Sequence, residues 1–410
     1  MVRETVTLEG HVIDSDVLRR VMGKIVELGG QFEIEEFRVG RTNEEASFVA
    51  LAVSAGDPGT LDRILEALSY LGAASTVRDA GFAPAEADGV LPDEFYSTTN
   101  LETFVRQGGA WEAVVERRMD CAVVRRAGEL HCVKQRKVRR GEPVLLRGAG
   151  VRVRPLERSR RASSFGFMSN EISMEVNKPV AIAAAARAMR ETRERGQRIV
   201  LVPGPAVIHS GGDAALVRLI RAGWVDGVLS GNAFAVHDLE KALLRTSLGV
   251  CQMSGRAVEG GSRNHLWAIN AVNRAGGVAA AVRSGLVRSG VMHALVEQGV
   301  PFVLAGSIRD DGPLLDVIPN VLEAQEAYIA GLEGAGMCLL LASALHAIAV
   351  GNLLPAEVRT VCVDMTEALP VKLGNRGTTQ AIGLVTDVGY FLERLERELG
   401  AGTSSAVAGG

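Results

Sequence analysis

Five short apolar runs in the second half of the chain, Ile199 to Val202, Val225 to Leu229, Phe302 to Leu304, Cys338 to Leu341 and Val358 to Val363, are separated by segments of helical periodicity. Such runs are short for helices and too uniformly apolar for strands wet on one face. Strands alternating with helices predict a parallel sheet covered on both faces, an α/β architecture. A helix is expected from about Pro179, whose missing N–H costs no bond in a first turn, through an alanine-rich stretch to Gly196. The last ten residues, Ala401 to Gly410, hold only Ala, Gly, Ser, Thr and Val, and are expected to be a disordered tail.

The first hundred residues have a different rhythm. Val6 and Leu8 alternate as in a strand, and Val17, Leu18, Val21, Met22, Ile25 and Leu28 follow a helical spacing that Gly29-Gly30 ends. Strands are predicted near 32–39 and 48–53, then a helix opened by the cap candidate Thr60 and carrying Leu61, Ile64, Leu65 and Leu68. The order βαββα predicts a small ferredoxin-like α+β unit. Periodicity fades between 81 and 101 into Pro84-Ala-Glu-Ala-Asp-Gly89 and Pro92-Asp93, which reads as a linker. From Trp111 to Val153 short apolar pairs alternate with charges and glycines, predicting a β-rich region. The basic run there, Lys134, Arg136, Lys137, Arg139 and Arg140, reads as solvated strand faces and turns in preference to a polyanion site. The expected domains are thus 1–100, 101–177 and 178–400, with 401–410 as the tail.

Lys and Arg total 45 against 48 Asp and Glu, a net charge of −3, which gives no bulk attraction to nucleic acid or an anionic membrane. Five cysteines with no CxxC pair argue against a disulfide framework or a thiolate zinc site. No signal-peptide pattern follows Met1, so a cytoplasmic location is expected. The run Met337 to Val350, broken by Ser343 and His346, is short of the roughly 20 residues that span a bilayer and reads as a buried strand leading into a turn.

Ligands of open parallel sheets collect beyond the carboxyl ends of the strands. There the sequence places Gly204-Pro205-Ala206, then Ser230-Gly231-Asn232-Ala233, Gly306-Ser307-Ile308-Arg309-Asp310-Asp311, Ala342 through Leu345-His346, and Asp364. Small residues let backbone N–H groups approach a phosphate at a helix N-terminus, and an acidic strand end can accept from a ribose hydroxyl, so NAD is the expected cofactor. Asp364 would also repel the extra phosphate of NADP. The GxGxxG fingerprint is absent. His209, His237, His265, His293 and His346 include no i,i+4 pair, and no metal is expected. His346 reads equally as a general acid or base or as a capping hydrogen-bonder. Asp310-Asp311 reads as an acid–base pair or as a solvated turn. Arg309 can clamp a carboxylate with two parallel hydrogen bonds, which points to an amino-acid substrate. His131 and Cys132 are neighbours in sequence, but adjacent strand residues face apart, so a structural cysteine is the expectation.

Several longer stretches identify a resemblance. Ser164-Phe-Gly-Phe-Met-Ser169, Gly204-Pro-Ala-Val-Ile-His209, Leu229-Ser-Gly-Asn-Ala233, Ala235-Val-His-Asp238, Phe302-Val-Leu-Ala-Gly-Ser-Ile-Arg-Asp-Asp-Gly-Pro313, Ile348-Ala-Val-Gly-Asn-Leu-Leu-Pro355 and Arg376-Gly-Thr-Thr-Gln-Ala-Ile-Gly383 resemble the archaeal-type ornithine cyclodeaminase family. That family carries the conserved domain of lysine-ketoglutarate reductase/saccharopine dehydrogenase proteins and also forms the carboxyl-terminal part of cyanobacterial arginine dihydrolase fusions.

The resemblance implies an NAD-binding domain similar to that of deoxyhypusine synthase, with Ser230 to Ala233 and Asp311-Gly312 as cofactor loops. It implies conversion of L-ornithine to L-proline and ammonia by oxidation to an imine, cyclisation, deamination and re-reduction. The synthase has a catalytic lysine where this chain has Leu345-His346, so enzyme-linked imine chemistry is not implied. Arg309, Asp311 and His346 are the expected catalytic residues, and a homo-oligomer the expected assembly. Two alternatives stay open: a net NAD-dependent amino-acid dehydrogenase, and a non-enzymatic sensor of NAD and an amino acid.

Overall fold

The computed structural model describes residues 1–10, 12, 16–41, 45–75, 77–154, 177–247, 250–251, 261–310, 312–378 and 380–401. The stretch Ser164 to Ser169, Asp311 and tail residues 402–410 lie outside them. The chain divides into two compact units, Met1–Phe167 with Asn352–Glu357, and Met168–Gly351 with Val358–Gly410. Among the described residues no helix is long and apolar enough to cross a membrane.

The first unit opens with β1 (Val2–Gly10), α1 (Val17–Glu27), β2 (Gln31–Arg38), β3 (Ser47–Ala55), α2 (Pro58–Ser69) and β4 (Ala74–Ser75). The sheet runs β2-β3-β1-β4 and is antiparallel throughout. Alternation along β1 and β3 puts Val6, Leu8, Val49, Leu51 and Val53 into one core with Val21 and Ile25 of α1 and Ile64 and Leu68 of α2. Asp57, not Thr60, caps α2. Its carboxylate accepts the Thr60 N–H at 3.0 Å and the Thr60 hydroxyl at 2.7 Å, with Pro58 in the first turn. The two carboxylate oxygens each take one of these donors, and the Thr60 hydroxyl is spent as a donor to Asp57.

The same unit continues through β5 (Phe82–Pro84), β6 (Glu102–Gln107), β7 (Ala110–Val115), β8 (Ala122–Arg126), β9 (Glu129–Val133), β10 (Pro143–Leu145) and β11 (Val151–Arg154), in the sheet order β11-β6-β7-β9-β8-β10-β5. The stretch 81–101, expected as linker, instead supplies β5 and three isolated bridges, and buries Tyr96. Its prolines misled because β5 is an edge strand, where a missing N–H costs no ladder bond. Within the basic run, Arg139 pairs with Asp88 at 3.0 Å. Asn352–Glu357 joins this unit, the Ala356 N–H donating to the Asn100 carbonyl at 2.9 Å.

The second unit begins with α3 (Lys178–Glu194), β12 (Arg198–Pro203), α4 (Ala206–His209), α5 (Asp213–Arg221), β13 (Gly227–Gly231) and α6 (Asn232–Leu244). A small hairpin, β14 (Thr246–Ser247) with β15 (Val250–Cys251), leads to α7 (Asn264–Arg274), α8 (Val278–Arg283), α9 (Val291–Glu297), β16 (Phe302–Ala305) and β17 (Val317–Ile318). The chain ends with α10 (Val321–Gly331), β18 (Ala335–Leu341), α11 (Ala344–Gly351), β19 (Arg359–Asp364), α12 (Ala368–Asn375), β20 (Ala381–Val385) and α13 (Val388–Ala401). The sheet order is β17-β16-β13-β12-β18-β19-β20, every pairing parallel.

All five expected strands are present, with bounds moved by one to three residues, and β17 and β20 are additional. Within the run Met337 to Val350, expected as a buried strand leading into a turn, the strand ends at Leu341 and residues 344–351 form the helix α11. Its sequence, ALHAIAVG, is too evenly apolar for helical periodicity to stand out. The direction of winding reverses between β12 and β18, the position at which open α/β sheets carry their ligand crevice beyond the carboxyl ends of the strands.

Candidate functional site

At the reversal the two backbones are in contact. The Gly204 N–H donates to the Leu341 carbonyl at 2.8 Å, and a Cβ on Gly204 would overlap the Ala342 carbonyl oxygen and carbon. Ala342 has φ +48°, left-handed backbone that a residue with a side chain rarely adopts, and its N–H donates to the Val363 carbonyl at 2.8 Å. The chain thereby turns sharply from β18 into α11, whose first-turn N–H groups have no acceptor within the helix. Asp364 ends β19, 22 residues after Ala342. A tight strand-to-helix turn followed about 20 residues later by an acid at the next strand end is the arrangement of a mononucleotide-binding βαβ unit. Here an alanine in left-handed backbone stands at the turn, and residues 342–347 hold no glycine at all. The Asp364 carboxylate is steadied through Oδ1, which accepts the Thr366 N–H at 3.0 Å and the Thr366 hydroxyl at 3.2 Å.

His346 stands in the first turn of α11 and reaches toward β13. Its Nε2 lies against Gly231, where a Cβ would collide with it, and its Nδ1 is 3.0 Å from the Tyr328 hydroxyl. Burial pulls the His346 pKa below its ordinary value, with nearby Asp310 opposing the shift. The imidazole is therefore neutral near pH 7. The Ser230 hydroxyl donates to the Pro203 carbonyl at 2.6 Å, which ties β13 to β12 beside the crevice.

Each described residue expected in the site lies at or just beyond a strand's carboxyl end. Gly204 and Pro205 follow β12, Ser230 and Gly231 close β13, and Asn232 and Ala233 open α6. Gly306, Ser307 and Arg309 follow β16. The structure brings Gly204 to Ala342 and His346 to Gly231. It spends Asn232 on a structural bond, its Oδ1 accepting the Leu314 N–H at 3.2 Å. Asp310 accepts the Ser307 N–H at 2.8 Å and closes its own loop. Arg309 and Leu345 are exposed, and no described residue pairs with the Arg309 guanidinium.

Two features escaped sequence reasoning. Tyr328, on α10, is buried below the crevice, and only packing brings it to His346. The second is a polar cluster: the His209 and His237 rings meet edge to face with centroids 4.8 Å apart, and His209 Nδ1 is 2.7 Å from the Ser247 hydroxyl. Below them the buried Glu240 accepts the Thr246 hydroxyl at 2.8 Å, and Asn264 donates to that same hydroxyl oxygen at 2.7 Å. A search for i,i+4 spacing missed the histidine pair because its members sit on different helices. Their equal offset, six residues beyond the ends of two adjacent strands, is the signal that finds them. Among the described residues no group of three or more His, Cys, Asp and Glu is arranged to hold a metal ion.

Asp238 is fully buried, and its two carboxylate oxygens accept the Val291 and Met292 N–H groups at 2.8 Å each, closing the first turn of α9. Burial pushes its carboxyl up to about 6, against 3.8 ordinarily. The folded protein thus holds this proton to higher pH than the unfolded chain does. The contribution is fully present below about pH 4 and is lost as pH rises through about 6. The difference amounts to roughly 2–3 kcal/mol, at about 1.4 kcal/mol per pH unit. Denaturant unfolding between pH 4 and pH 7 should show this slope in the native protein and lack it in Asp238→Asn; identical slopes would remove Asp238 from the account.

Comparison with known proteins gives matches along nearly the whole chain. A family described as arginine dihydrolase ArgZ-like, C-terminal, Rossmann fold, matches residues 183–395; its first region matches 102–182; and the LOR/SDH bifunctional enzyme conserved region matches 3–101. A protein of Methanopyrus kandleri named ornithine cyclodeaminase is 46% identical over 400 residues, 97% of both chains. The crystal structure of apo ArgZ, a cyanobacterial arginine dihydrolase, superposes with a TM-score of 0.83 at 36% identity over 98% of this chain, which spans 59% of that one. A ternary complex of AgrE with ornithine and NAD+ matches with a TM-score of 0.54 at 40% identity, over 98% of this chain and 58% of that one.

Proposed function

The chain belongs to the family of archaeal ornithine cyclodeaminases and ArgZ-like carboxyl-terminal regions, and on that premise we propose that it converts L-ornithine to L-proline and ammonia with NAD. One observation carries the reading: near-full-length identity of 42–46% to five archaeal proteins of that name. The AgrE complex with ornithine and NAD+ supports both ligands.

The second unit fits a dinucleotide. Gly204 and Ala342 approach too closely for a side chain, the first-turn N–H groups of α11 have no acceptor within the helix, and Asp364 Oδ2 has no partner among the described residues. We assign Ala342 and the α11 N-terminus to the phosphates and Asp364 to a ribose hydroxyl, with Ser230, Gly231 and Gly306 lining the same crevice. When bound, NAD accepts a hydride from the substrate's α-carbon and returns it, so the net reaction is redox-neutral. His346, neutral and fixed, takes and returns a proton at the substrate amines. Asp311, outside the described residues, keeps its proposed acid–base role. Folding the substrate so that its δ-amine faces the α-carbon raises the effective concentration for ring closure. Arg309 offers a planar fork for the carboxylate, and Arg309→Lys should raise KM for ornithine several-fold; unchanged kinetics would remove it from the site.

The βαββαβ order and the β2-β3-β1-β4 sheet support a ferredoxin-like first segment. The missing glycine fingerprint supports a cofactor domain of the deoxyhypusine synthase kind. Proline biosynthesis in the cytoplasm by a homo-oligomer completes the proposal, and cell fractionation with size-exclusion chromatography checks it.

Labelled ornithine mixed with sub-stoichiometric NAD tests the function. Proline should exceed NAD many-fold, and NADP should not replace NAD. NADH accumulating in step with product would instead show a net dehydrogenase, and binding without turnover would show a sensor.

A further inference from the structure

The Tyr328 hydroxyl has one proton and two close neighbours. One is the Ser230 carbonyl oxygen at 2.6 Å, which only accepts; the other is His346 Nδ1 at 3.0 Å. The proton therefore goes to Ser230, and the contact with Nδ1 is a hydrogen bond only if Nδ1 carries a hydrogen and donates it to the tyrosine oxygen. We propose that Tyr328 is a positioning residue that holds His346 in the Nδ1–H tautomer, leaving the Nε2 lone pair as the basic nitrogen of the site. This assignment rests on the functional reading above, which it deepens.

Three observations converge on it. Tyr328 is 3% exposed and lies on α10, which packs against β13 and β16, so its hydroxyl has little freedom to turn elsewhere. Burial also raises the phenol above its ordinary value, so it stays protonated and remains a donor to Ser230. Gly231 is the third: Nε2 rests where any side chain at that position would lie, and no described residue hydrogen-bonds it. Both ring nitrogens are thus accounted for, one tied inward and one directed at the strand end. Among the described residues the titratable groups facing the ring are Tyr328 from α10 and Asp310 from the loop after β16. Neither blocks Nε2. At metal sites the partner that fixes a ligating histidine's tautomer is worth about 10–100-fold, and the carbonyl–hydroxyl–imidazole chain here fixes the tautomer in the same way.

Nitrogen NMR on the full-length protein tests the idea directly. The His346 signals, identified among seven histidines by their loss in His346→Gln, should show a protonated Nδ1 and an unprotonated Nε2 at neutral pH. Tyr328→Phe should shift the population toward Nε2–H and lower kcat roughly 10- to 100-fold, with KM for ornithine and NAD binding little changed. It should also move the acidic limb of the pH–rate profile, which a purely structural residue would leave in place. If Tyr328→Phe does not fold, the tautomer of the native protein decides the matter alone. A native Nε2–H form would overturn the proposal even if proline is made. The Nδ1–H form in a protein that makes no proline would uphold the tautomer and overturn the functional reading instead.

Discussion

Gly204→Ala should unfold the second unit's crevice and with it cofactor binding, although it adds a single methyl group. That methyl would overlap the carbonyl oxygen and carbon of Ala342 and touch Ser343 Cα. All three are backbone atoms that no rotamer change removes, and Ala342 is already held in left-handed backbone by its bond to Val363. Overpacking in a well-packed interior costs about 1–3 kcal/mol when side chains can yield, so a backbone clash belongs at or above the upper end. Gly374→Ala is the internal control. Gly374 lies in α12 with nothing within 4 Å of the place a methyl group would take, and alanine there should be neutral or stabilise by up to about 1 kcal/mol through helix propensity. Urea unfolding midpoints and NAD titrations of the two variants should diverge, with affinity falling at least about tenfold for Gly204→Ala. A native midpoint and native affinity for that variant would show that the β12–β18 contact does not shape the cofactor site.

Proline formed in ordinary water from ornithine deuterated at the α-carbon should keep most of its label. A hydrogen that leaves as hydride and returns to the same carbon never enters solvent, whereas one abstracted as a proton exchanges with it. The two mechanisms therefore differ by nearly the whole label, a larger contrast than any rate measurement offers. Unlabelled proline would sink the hydride mechanism even with the overall reaction intact. A primary isotope effect on kcat should accompany retention when hydride transfer limits turnover, and it vanishes if product release is slower. Retention alone is decisive.

The strands of the second unit were legible from the chain because a parallel sheet buried on both faces demands unbroken apolar runs, as in Cys338 to Leu341. Ser230, Gly231 and Asp364 could be placed beyond strand ends for the same reason. The helix α11 was not legible, since an evenly apolar segment has no polar face to set its period. Nor was β5, whose proline reads as a break until the strand is known to be an edge. The cap of α2 went to the wrong residue because Asp57 and Thr60 both carry a suitable oxygen, and only geometry shows which one accepts.

By itself the sequence determined the alternation of strands and helices, the small and polar residues that end each strand, and the family, because these follow from local composition and from motifs contiguous in the chain. Tertiary structure alone decided which ends meet. The reversal between β12 and β18 sets Gly204 against Ala342, 138 positions away, and forces a left-handed alanine that no propensity would choose. The packing of α10 on β13 brings Tyr328 to Ser230 and His346, and so selects which imidazole nitrogen is free. The physical reason is that a side chain's protonation and direction depend on partners supplied by other elements, and those partners are fixed by sheet order, which local sequence does not encode.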